Sequence, residues 1–123
     1  MANVFVCGGR KFEDYFLLER YLDHCLRDLK QRERITIIHG GAWGADHLAK
    51  CYAINNELDQ VVIHPDYEKH PKKVAPLIRN TQLVEMADYC VAFWDGKSGG
   101  TKDAFTKAEK KGIPVKILRY DQW

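Results

Sequence analysis

The chain has 123 residues, 46% of them hydrophobic and 29% charged, a length that holds one core and a balance too apolar for a disordered polymer. Its formal net charge of +2 and sequence pI of 8.3 fall short of a dedicated duplex-binding domain and suit small phosphorylated ligands better. No apolar run approaches the roughly 18 residues of a membrane span, and Met1, Ala2 and Asn3 do not open a signal segment, so one cytoplasmic domain over residues 1–123 is expected.

Asn3 to Cys7 (NVFVC) is a β-branched and aromatic run ending at a glycine pair, which predicts a buried strand. Leu18, Tyr21, Leu22, Cys25, Leu26 and Leu29 recur at three-and-four spacing with charged residues between them, an amphipathic helix capped by Asp14. Ile35 to His39 (ITIIH) is a second buried strand, Ala45 to Ile54 a second helix, and Val61 to His64 (VVIH) a third strand. Pro65 to Lys73 (PDYEKHPKK) is polar, holds two prolines and is expected on the surface as a loop. Pro76 sits in the first turn of a third helix running to about Ala87. Tyr89 to Phe93 is a fourth strand and Thr101 to Lys111 a fourth helix, stopped by Gly112 and Pro114 before a fifth strand, Val115 to Leu118. Strand and helix alternate throughout, which predicts a three-layer α/β Rossmann-like sandwich around a five-stranded parallel sheet. The four cysteines, Cys7, Cys25, Cys51 and Cys90, lack zinc-site spacing and read as core filler. The scattered histidines carry no ligand pattern, so no metal and no cofactor are expected.

The glycines are placed unevenly. Gly8 and Gly9 follow the first strand, Gly40, Gly41 and Gly44 the second, and Gly96, Gly99 and Gly100 the fourth. In a parallel sheet these turns share the carboxyl rim, where ligands bind and where helix amino termini offer unpaired N–H groups to an anion. Ser98 and Thr101 add hydroxyls to the fourth turn, and Arg10, beside Gly9, projects a guanidinium from the same rim. Trp43, flanked by glycines in HGGAWGAD, either stacks on a base or packs under the Pro65 to Lys73 loop. Asp46 opens the second helix, as a dipole partner or as a hydrogen-bond acceptor for a ribose hydroxyl. Arg79 opposes the macrodipole near the start of the third helix, a local cost that points to a distant partner.

These segments, VCGGRKFED, HGGAWGAD, IRN at residues 78–80 and SGGT at residues 98–101, resemble the YspA/YpsA-related branch of the SLOG superfamily. That superfamily of Rossmann-like domains relates the SMF/DprA proteins to the LOG phosphoribohydrolases. The resemblance spans nearly the whole chain and implies a nucleotide-type ligand held across the glycine loops, with Arg79 and Asn80 from IRN contributing. It is also compatible with a homodimer. By the same resemblance Gly99, Gly100 and Thr101 match the phosphate loop of the LOG enzymes. The glutamate that those enzymes carry three positions after the threonine is Ala104 here.

The expected function is therefore binding: sensing, sequestering or carrying a nucleotide or an ADP-ribose-like ligand. The alternative is hydrolysis of a nucleotide or nucleoside N-glycosidic bond, with Asp46 or Asp103 as the carboxylate. A third reading uses Lys69, His70, Lys72 and Lys73 as a groove for single-stranded nucleic acid, with Tyr67, Trp43 and Trp94 as stacking platforms. A basic cluster on a loop is ordinarily a solvated face, so neither nucleic acid nor a membrane is expected as a partner.

Overall fold

The computed structural model describes residues 1–122. Five strands, β1 (Ala2–Gly8), β2 (Ile35–His39), β3 (Asp59–Val62), β4 (Tyr89–Trp94) and β5 (Val115–Arg119), alternate with four helices, α1 (Tyr15–Arg32), α2 (Ala45–Asn55), α3 (Ala75–Met86) and α4 (Gly99–Lys111). A short 3-10 turn, Tyr120–Gln122, follows β5. The strands form one sheet in the order β3-β2-β1-β4-β5, and every pairing is parallel.

Side chains alternate across a strand, so each central strand feeds two cores. Val4 and Val6 of β1 join Leu18, Leu22, Leu26 and Leu29 of α1 and Tyr52 of α2 on one face. Phe5 and Cys7 join Leu83 and Val84 of α3 and Phe105 and Ala108 of α4 on the other. This is the expected three-layer Rossmann-like arrangement. The chain steps outward from β1 to β3, then crosses back to place β4 on the other side of β1, and that reversal makes the junction of β1 and β4 the switch point of the sheet.

Local signals fix the helix ends. The Asp14 carboxylate accepts the Leu17 N–H at 3.0 Å, as an N-cap should. Gly112 closes α4 in the left-handed conformation at φ 87°. Lys111 Nζ reaches the end of α3 and donates to the carbonyls of Val84, Glu85 and Ala87 at 2.8–2.9 Å, which places a cation at the negative end of that helix.

One boundary moves. The third strand occupies Asp59–Val62 rather than Val61–His64, because its register is set by β2, with Asp59 opposite Thr36 and Val62 opposite His39. β2 ends there, so only the Ile63 N–H to His39 carbonyl bond of 3.0 Å remains before Pro65. β3 is a largely exposed edge strand, and its Asp59 is tied to Arg34 at 2.9 Å, so its start carries no apolar signal. Of the cysteines, Cys7 and Cys90 are buried, whereas Cys25 and Cys51 are part-exposed, and all four are free. No helix among the described residues is long and apolar enough to cross a membrane.

Candidate functional site

At the carboxyl edge β1 and β4 lie side by side, and the chain leaves them toward opposite faces of the sheet. Their loops therefore diverge and leave a crevice, which holds a cavity of about 430 Å³. Gly8, Gly9 and Arg10 line it from the first loop, and Gly40, Ala42 and Asp46 from the second. Arg79 and Asn80 enter from α3, and Ser98, Gly100 and Thr101 from the fourth loop and α4. Gly41 and Trp43 line a smaller adjoining cavity. Gly44, Gly99 and Asp103 line neither.

The second loop is shaped by its own hydrogen bonds. Buried His39 accepts the Gly41 N–H on Nδ1 at 3.1 Å, which leaves its proton on Nε2 for the Gln60 Oε1 at 3.0 Å. Asp46 Oδ2 accepts the Ala42 N–H at 3.2 Å. Two amides of the glycine-dense loop are thus committed internally, and the loop acts as a wall. Gly44, at φ 80°, locks it to the first loop: a Cβ there would strike the backbone of Gly9 and Arg10. Gly40 is needed for a different reason, since the Arg79 guanidinium lies across it and donates to its carbonyl from Nη1 at 2.9 Å. This is the distant partner that the placement of Arg79 calls for.

The fourth loop is built the other way. The Asp95 carboxylate accepts the N–H groups of Lys97 and Ser98 at 2.8 and 2.7 Å, and these bonds hold it below its ordinary range. The Trp94 indole donates to the Ser98 carbonyl at 3.0 Å. Loop order is secured without using the start of α4: the amides of Gly99, Gly100 and Thr101 have no partner among the described residues. A Cβ at Gly99 or Gly100 would meet nothing within 4 Å. The packing of the protein does not require glycine at either position.

Asn80 is a brace. Its Oδ1 accepts from Arg79 Nε at 3.1 Å, and its Nδ2 donates to the Gly100 carbonyl and to Asp103 Oδ2, both at 3.2 Å. Asp103 is further held by Lys107 at 2.9 Å, on the side of α4 that meets α3 and off the cavity. Asp46 is the buried carboxyl of the site, 7% exposed. Burial pushes it above its ordinary value, against the opposing pull of the Ala42 N–H and the Arg79 charge. Arg79 is lowered by burial in turn, with Asp46 opposing that shift. Ala104 presents only a methyl to the cavity.

Several lining residues escape a reading of the loops alone. Lys11 sits within VCGGRKFED and Asp95 just before SGGT, and neither carries a motif of its own. Tyr120, just past β5, brings its hydroxyl against Gly9 because β5 lies two strands from β1. The rule that ligands meet the carboxyl ends of all strands is the signal that reaches Tyr120.

A family model described as the YspA, cpYpsA-related SLOG family matches residues 2–70. The chain is 39% identical over 121 residues to the Gene 61 protein of Mycobacterium phage D29, with 94% of each covered. Among solved structures it resembles TM1055, at a TM-score of 0.67 and 22% identity over 94% of this chain and 72% of that one. It also resembles DNA processing protein A from Helicobacter pylori, a protein described for its single-stranded DNA binding mode. There the TM-score is 0.63 and the identity 21%, over 95% of this chain and 65% of that one. At these identities the two structures speak to the fold.

Proposed function

The chain belongs to the YspA, cpYpsA-related SLOG family, and from that premise we propose that it binds a nucleotide-type phosphorylated ligand in the crevice between β1 and β4. The observation that carries this reading is the start of α4. Gly99 and Gly100 leave open space and, with Thr101, three amides that have no partner among the described residues, at the positive end of a helix dipole. Arg10, Lys11 and Arg79 supply fixed positive charge around the same cavity. A phosphate takes the amides, and the sugar and base extend along the floor formed by Cys7 and Leu83.

A second reading, hydrolysis of an N-glycosidic bond, draws on Asp46. A carboxyl raised by burial in a cleft beside an arginine has the character of a general base or acid. Against it stands Ala104, which cannot move a proton. A thermal-shift panel of nucleoside mono- and diphosphates, ADP-ribose and a short single-stranded oligonucleotide tests the binding reading, which expects the nucleotides to stabilise the protein. Stabilisation by the oligonucleotide alone contradicts it. Chromatography after long incubation then separates holding from cutting: intact ligand supports binding, and free base supports the hydrolase.

A further inference from the structure

Beyond the main crevice, on the outer side of Arg79, lies a second cavity of about 290 Å³. Trp43 of the second loop and His64, Pro65 and Tyr67 of the β3–α3 loop line it, and Arg10 and Arg79 are common to both cavities. Trp43 is 78% exposed and Tyr67 53% exposed, and the Trp43 ring lies 5.5 Å from that of His47. Gly41 and Gly44, both at positive φ, carry Trp43 outward on the rim. An indole and a phenol held open to water at one hollow are suited to the faces of a planar ring. The partition between the chambers is cationic. Arg79 uses Nη1 and Nε within the protein, while its Nη2 and the whole Arg10 guanidinium have no hydrogen-bond or ion-pair partner among the described residues.

Resting on the reading of the crevice as a nucleotide site, we propose that the second cavity is a ring-binding subsite and that the ligand class is a dinucleoside polyphosphate, with a ring at each end and its phosphates between Arg10, Arg79 and the α4 amides. The aromatic chamber holds the second ring, and the arginines hold the bridge that joins the two. A mononucleotide satisfies the crevice and leaves the aromatic chamber empty.

Isothermal titration with matched probes tests this: ADP and GDP against P1,P2-diadenosine and P1,P2-diguanosine diphosphate, on the native chain and on Trp43→Ala and Tyr67→Ala. Both side chains are exposed, and circular dichroism confirms that each variant folds. The expected result is that at least one dinucleoside probe binds about tenfold tighter than its mononucleotide, and that either variant removes most of that advantage while changing mononucleotide affinity less than about twofold. Equal affinity of paired probes, or equal weakening of both by the variants, overturns the subsite and leaves the mononucleotide reading standing. Absence of binding by all four probes overturns both. A single-stranded oligonucleotide binding about tenfold tighter than every probe makes the aromatic chamber part of a nucleic-acid channel and also overturns the proposal.

Discussion

Alanine at Gly100 meets no neighbour and continues a helix whose backbone is already formed, so the folded state accepts the methyl group without strain. Gly100→Ala is expected to hold or raise stability by about 0.4–1 kcal/mol in urea unfolding, while weakening nucleotide affinity at least about tenfold. A loss of stability, or unchanged affinity, contradicts the role given to the α4 start. Asp46 makes a second residue-scale prediction. Its folded value lies above its ordinary 3.8, so from pH 3.8 up to that higher value the folded chain binds more protons than the unfolded one and loses stability as pH rises. Asp46→Asn keeps an acceptor for the Ala42 N–H and is expected to flatten that decline in urea midpoints measured across acid to neutral pH. An unchanged slope contradicts the assignment. At this scale the sequence shows which residues stand on the rim. It does not show that the Gly41 and Ala42 amides are already taken by His39 and Asp46, because a spent amide and a free one look alike in HGGAWGAD.

Between elements, two contacts position the site. Gly44 holds the second loop against the first, and its φ of 80° with the Gly9 carbonyl at hand leaves no room for a side chain. Gly44→Ala is expected to cost about 2–3 kcal/mol, read as a lower urea midpoint. Lys111 closes the carboxyl end of α3, the helix that brings Arg79 and Asn80 to the crevice. Lys111→Met keeps much of the aliphatic stem and removes the cation, with an expected cost of about 1 kcal/mol and a Tm lower by about 3–6 °C. An unchanged Tm contradicts the brace. Helices were legible here through Asp14, Pro76 and Gly112, each a local signal of the chain. β3 was legible only approximately, since an exposed edge strand starting at Asp59 takes its bounds from the ladder with β2 rather than from its own side chains.

For the whole molecule, the strand order β3-β2-β1-β4-β5 brings glycines from three separate turns, Gly8 and Gly9, Gly40, and Gly100, to one cavity. Alternation of strand and helix predicts the parallel sheet, and the position of Gly8, Gly40 and Gly100 after their strands predicts a shared rim. The order itself is a tertiary fact, and it decides that Tyr120 stands beside Gly9, whereas Asp103 is turned to Lys107 one helical turn on and to Asn80 of α3. The most direct test of a convergent anion site is a ¹H–¹⁵N correlation spectrum of the native chain titrated with ADP. The largest shifts are expected at the amides of Gly99, Gly100 and Thr101, with Gly9 and Arg10 responding at the same ligand concentration. Shifts confined to the basic Pro65–Lys73 loop, or none at any of these amides at saturation by calorimetry, contradict it.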